Sequence, residues 1–188
     1  LNQKRPVDLC FYGLSERGVF VARYHRVMTD TQRFDVVLEA LLSQQRVASL
    51  ATVDEDGMPH ASMVPFAVDR AHGTLLIHIS GMSPHFGYLH NKPHASLLIA
   101  KAETPGAEVH ALPRMSIQAT ASFISRHEAR YTGAREAYLQ RFLEVAFMTD
   151  LPDFAFVEIT PLAGRVIAGF GAAKKLDPTS ILAALQKV

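Results

Sequence analysis

"RVASLATVDEDGMPHASMVPFAVDRAHGTLLIHI", residues 46–79, decides the fold. Three runs in it, 46–53, 60–68 and 74–79, are apolar and rich in β-forming residues. They are divided by "DEDGMP" and "DRAHG", both made of turn formers. Connectors this short make the strands antiparallel neighbours, because a parallel pair needs a crossover of about a dozen residues or more. Working outward, "HASLLIAK" (94–101), "RMSIQATASFI" (114–124), "FAFVEITP" (154–161) and "GRVIAGFG" (164–171) read as further strands. A helix precedes them in "TQRFDVVLEALLSQ" (31–44), capped by Asp30 or Thr31, with Phe34, Val37, Leu38, Leu41 and Leu42 on one face. A second helix is expected over 127–143 with Ser125 as its cap, and a short one in "DPTSILAALQKV" at the end. The pattern is mainly β: an antiparallel six- to seven-stranded barrel with flanking short helices.

The 188 residues suit one domain, 31–188, which can bury roughly 70% of its unfolded surface. Residues 1–30 lack sustained periodicity and read as an N-terminal arm, with Met28 a conceivable natural start. Nineteen basic side chains face eighteen acidic ones, for a net charge of +1. That balance gives no footprint for nucleic acid or an anionic membrane. No apolar run reaches the ~20 residues of a membrane span. Cys10 is the only cysteine, so no internal disulfide can form, and a reducing, cytoplasmic setting is expected.

"SGMSPHFGYLHNKPHASLLI" (80–99) joins the strand at 74–79 to the one at 94–101. Ser83 is a good N-cap and Pro84 suits the first helical position, while Pro93 stops the helix. The helix start is a candidate anion site, to which His85 could add a donor. A plain crossover helix closing the barrel end is the competing reading. His85, His90 and His94 resemble a metal cluster on paper, but Pro93 keeps His90 and His94 off a shared helix face. No G-x-S-x-G elbow or phosphate-binding loop is present. "GFGAA" (169–173) lacks the third glycine and the βαβ context of a dinucleotide fingerprint and reads as a turn at a strand end.

The stretches "ASLATVDEDGMPHASMVPFAVD" and "PRMSIQATA" resemble the flavin-binding split barrels related to pyridoxamine 5'-phosphate oxidase, nearest the haem-utilisation branch. The likeness covers about residues 33–171. It implies a homodimer formed through the open side of the barrel, with FMN in the groove between subunits. The ring-bordering stretch would be Ser62, Met63, Val64 and Pro65, and Pro65 fits a strand only at an edge or bulge. His78, Ile79 and Ser80 match the strand end near the phosphate, with Ser83 and His85 in the helix after it. Arg114 matches a position whose guanidinium could fork onto phosphate oxygens.

The chain departs from that pattern. Pro84 and His85 stand where the oxidases carry an Arg-Lys pair, and Phe86 and Gly87 where nearer relatives often carry threonine and arginine. There is no tryptophan, and the arginine-bearing tail of the oxidases is missing, so pyridoxamine 5'-phosphate oxidation itself is rejected. The resemblance therefore implies an FMN-binding homodimer of the oxidoreductase type, with no catalytic residue assigned. The alternatives are a haem-utilisation protein using the same groove, or a barrel that has lost its cofactor. Haem-handling relatives tend to carry a C-terminal extension, and this sequence stops at Val188 after a short helix. Leu50, Met63 and Phe66 are expected on the strand faces that a partner subunit covers.

Overall fold

The computed structural model describes residues 10–14, 20–24 and 28–188. Most of the proposed arm, 1–30, lies outside that set. Its two described segments, β1 (Cys10–Leu14) and β2 (Phe20–Tyr24), pair antiparallel in a sheet of their own. Helix α1 (Asp30–Gln44) follows, then β3 (Val47–Val53), β4 (Pro59–Asp69) and β5 (Thr74–Ser80). Next come α2 (Pro84–Asn91), β6 (His94–Ala100), β7 (Arg114–Ile124) and α3 (Ala129–Arg141). A 3-10 segment, Leu143–Asp150, leads into β8 (Phe154–Gly169), β9 (Ala172–Leu176) and α4 (Pro178–Lys187).

The strands run in the order β5-β4-β3-β6-β7-β8-β9, and β5 also pairs with β8. That last pairing, Leu75↔Ile159 through Ser80↔Phe154, closes a six-stranded antiparallel barrel, with β9 added outside the ring. The split-barrel expectation holds. Closure pairs most of the sheet edge that would otherwise offer unpaired backbone. The interior is filled by alternate residues of each strand, among them Leu50, Phe66, Leu75, Ile77, Leu97, Ile99, Met115, Ile117 and Ile159, all fully buried. Leu38, Leu41 and Leu42 of α1, Leu89 of α2 and Ile181 and Leu185 of α4 join the same cluster. A smaller cluster lies under α3, where Ala134 and Tyr138 meet Ala67, Leu76 and Phe156.

Four local expectations change. The cap of α1 is Thr29, which accepts from the Gln32 N–H while the Gln32 side chain accepts from Thr29 N–H. This reciprocal box satisfies two end donors at once, which Asp30 or Thr31 could not do from inside the helix. Helix α3 starts after Glu128, not from a Ser125 cap, and the Glu128 carboxylate instead accepts the Ser125 N–H. The runs 154–161 and 164–171 form one strand, β8, because a register shift opposite Gln118/Ala119 absorbs Leu162 as an extra residue. Finally, Leu50 and Phe66 point into the barrel and only Met63, 67% exposed, lies on its outer face. The turn reading of "GFGAA" holds: Gly169 and Gly171 take φ of 139° and 70° between β8 and β9.

Candidate functional site

Strands β3 and β6 pair only over Ser49–Ala51 with Leu98–Ser96. Beyond those three pairs Thr52 and Val53 part from His94 and Ala95, and the barrel wall splits. A cleft of about 450 Å³ opens there, lined by Ala51, Thr52, Val53, Pro59, His94, Ala95, Ser96, Gln118, Ala119 and Leu162. Apart from Gln118 its walls are small or apolar and hold no acid, lysine or arginine, and His94 is the one imidazole among them. The buried Thr52 hydroxyl has no hydrogen-bond partner among the described residues.

The cleft opens on an outer sheet face that is uncharged across β3, β4, β6 and β7, with Arg165 of β8, paired with Ser116, at its rim. Val47, Ser49 and Ala51 of β3, Ala61 and Met63 of β4, Leu98 of β6 and Ser116 and Gln118 of β7 are exposed there. Period-two alternation puts these outward because their neighbours Ala48, Leu50, Val64, Leu97 and Ile117 fill the interior. Pro65 is tolerated because β4 pairs with β3 as far as Pro65↔Val47 and with β5 only from Phe66 onward. The second edge of β4 is therefore open along 59–65, where a missing N–H costs no ladder bond, as its sequence position required.

Helix α2 packs beside this strand. The Ser62 hydroxyl and His85 Nδ1 share a hydrogen bond of 3.0 Å, and the His60 ring meets Tyr88 edge-on at 5.4 Å. Burial, and then the charge of His60, push His85 below the usual histidine range, so its ring is neutral near pH 7. Ser62 and His85 are thus brought together as a neutral polar pair. Val64, flanking Met63 and Pro65, faces the core and is 2% exposed.

The start of α2 is a poor phosphate cradle. Pro84 has no N–H, the Ser83 N–H bonds the Ser80 carbonyl at 3.0 Å and the Phe86 N–H bonds the Ser83 carbonyl. The Ser80 hydroxyl donates to Asp153 Oδ2 at 3.0 Å and accepts the Met82 N–H at 3.2 Å. Gly81 N–H donates to the Asp153 carbonyl at 2.6 Å, which fixes that carboxylate beside the helix start. The Ser83 hydroxyl makes no cap bond. No lysine or arginine occurs from Ser80 to Asn91.

Three of the expected site residues lie elsewhere. The His78 side chain points away from the barrel interior, between Phe154, Phe156 and Tyr138, with ring centroids at 5.1, 4.4 and 5.7 Å. Ile79, its neighbour, is buried in the barrel core. Arg114 starts β7 opposite Ala100, at the far end of the β6–β7 ladder from His94↔Thr120. Its Nη1 donates to the Leu112 carbonyl at 2.9 Å. Within one chain Arg114 does not meet Ser62 or His85. His94 at the split was not singled out as a site residue, since its role depends on where β3 and β6 part.

Residues 34–168 match the family model described as pyridoxamine 5'-phosphate oxidase. Heme oxygenase HutZ of Vibrio cholerae is 28% identical over 146 residues, which is 77% of this chain and 82% of that protein. The crystal structure of HutZ, the heme storage protein from Vibrio cholerae, superimposes with a TM-score of 0.64 at 25% identity, over 69% of this chain and 90% of that one. A heme binding protein from Mycobacterium smegmatis gives a TM-score of 0.70 at 22% identity, covering 79% of this chain and 60% of that one, and shares the fold.

Proposed function

This chain belongs to the pyridoxamine 5'-phosphate oxidase family, on the side of its haem-utilisation proteins, and we propose that it is a homodimer that binds haem in the split groove. The observation that carries this reading is the groove itself: about 450 Å³ of small, uncharged wall with a single imidazole, His94, at the split. Haem needs an apolar slot for its plate and an axial nitrogen, and a neutral histidine is a common iron ligand. His94 would hold the iron, and Ala51, Ala95 and Ala119 leave room for the ring. Bound haem would bring one-electron and oxygen chemistry that the protein side chains lack. The unpartnered Thr52 hydroxyl could give or receive a hydrogen bond at the same place. The similarity to HutZ supports the choice of ligand.

The outer face supports the homodimer. Val47, Met63 and Leu98 are 47%, 67% and 39% exposed on a sheet surface with no charge between them. A two-fold partner covering this face would bury on the order of the ~1,600 Å² of a standard interface.

Flavin is the second reading, favoured by the Ser62–His85 pair beside the open edge of β4 and by the free Ser83 hydroxyl. FMN fits the ring-side residues better than it fits the phosphate end, where Asp153 sits and helix α2 itself carries no lysine or arginine. Arg114 could reach that end only from the partner subunit. Titrating the apo protein with haem separates the readings. A saturable Soret band at one haem per chain, lost in His94→Ala, supports haem; tight FMN binding with no Soret change overturns it.

A further inference from the structure

The strand ladders carry one row of residues across the outer face: Met63, Ser49, Leu98, Ser116, Arg165 and Lys175, each paired with the next. All six are exposed. The next row toward the split holds Ala51, Ser96 and Gln118, which line the groove. One such step along a strand is about 7 Å, so Ser116 lies that far from Gln118 and Arg165 stands beside Ser116. The register shift at Gln118/Ala119 also places Leu162 in the groove wall, three residues before Arg165.

Arg165 and Lys175 are like charges set directly opposite each other, an arrangement that is destabilising unless an anion answers it. Neither makes an ion pair among the described residues. The other cations near the groove are already held. Lys92 donates to the Asp54 and Glu55 carbonyls at 2.6 and 2.7 Å, and Arg114 donates to the Leu112 carbonyl at 2.9 Å. The opposite end of the groove is acidic, because Val53 and Pro59 of its wall flank the turn that holds Asp54, Glu55 and Asp56. The groove therefore runs from an acidic turn, past His94, to an unanswered pair of cations. A ligand with an apolar plate and carboxylates along one edge matches that gradient in one orientation only.

We propose that Arg165, with Lys175 beside it, binds the propionate carboxylates of haem and so sets which way the plate enters the groove. This rests on the assignment of the split groove to haem. The test titrates the full chain with haem, with haem dimethyl ester, whose propionates are neutral, and with iron-free protoporphyrin, which makes no use of an axial ligand. All three are presented in the same detergent solution near neutral pH. Soret absorbance reads the first two and porphyrin fluorescence the third. The ester should bind about ten- to a hundredfold more weakly than haem, the loss of charge-assisted hydrogen bonds. Arg165→Gln should weaken haem and protoporphyrin about tenfold while leaving melting and ester affinity unchanged, and Arg165→Lys should restore part of the loss. Equal binding of haem and its ester, or an Arg165→Gln loss as large for the ester as for haem, would overturn the carboxylate role and leave haem in the groove. No Soret change with either compound in the parent chain would overturn the groove assignment, and this inference with it.

Discussion

Replacing His78 by phenylalanine should stabilise the protein, and by more as the pH falls. The ring sits 7% exposed among Phe154, Phe156 and Tyr138, and its Nε2 has no hydrogen-bond partner among the described residues. Burial chiefly, with Arg126 adding and Asp153 opposing, lowers its pKa from 6.5 to about 4. The folded state thus refuses a proton that the unfolded chain accepts. Above the unfolded value both states are neutral and nothing is lost. Between about pH 6.5 and 4 the unfolded state binds more protons, so stability falls as the pH drops. At about 1.4 kcal/mol per pKa unit, the full loss is about 3 kcal/mol, reached near the folded pKa. Phenylalanine keeps the aromatic contacts, has no such titration, and removes a buried orphan nitrogen that costs about 1–3 kcal/mol at any pH. Urea unfolding of both proteins at several pH values between 7.5 and 4.5 reads the effect as a difference, in which the other carboxylates cancel. The gap between the two stabilities should widen toward acid by about 2–3 kcal/mol. Parallel profiles would show that His78 is not the buried neutral base described above.

Arg130→Met leaves Asp69 and Glu158 facing each other without their shared guanidinium, which stands 2.5 and 2.6 Å from them; urea unfolding should show a loss of about 3–5 kcal/mol, and a loss below about 1 kcal/mol would count against a buried pair. Gly164→Ala brings a Cβ to 2.8 Å of the Ser116 carbonyl oxygen and should cost about 1–3 kcal/mol of stability, whereas a neutral result would mean the β7–β8 ladder can yield there. Met63→Glu places a charge on the uncharged outer face and should convert a dimer to a folded monomer in light scattering; an unchanged mass would remove that face from the interface. Arg114→Ala should lower FMN affinity by about 1.5–3 kcal/mol only if the partner subunit carries Arg114 to the site, and unaltered affinity in a folded variant excludes it.

The barrel strands were legible because alternation and turn formers are local signals. "DEDGMP" and "DRAHG" each sit between runs that do pair antiparallel, Val47↔Pro65 and Asp69↔Thr74 among the matches. Closure was not legible in the same way, since β5 and β8 lie about eighty residues apart and nothing local names the partner. Pro161 and Gly164 looked like a break, yet a register shift carries one strand through them. The Thr29–Gln32 box is readable as T-x-x-Q, just ahead of the Asp30 or Thr31 that residue preference alone offers as the cap. Ser83 and Pro84 did start a helix where capping chemistry placed them. What sequence could not supply was Asp153, seventy-three residues from Ser80, whose carboxylate changes the character of that helix start. The same holds for Leu50 and Phe66, where the strand was readable but the side each residue faced depended on which wall the barrel closed around.

The absorption spectrum of the chain purified after expression with haem available, compared with the His94→Ala variant, tests the groove most directly. A Soret band in the parent that is weakened or shifted in the variant is the expected result, at a mass that matches two chains. A flavin spectrum in its place, or a Soret band indifferent to His94, would contradict the assignment of the split groove to haem.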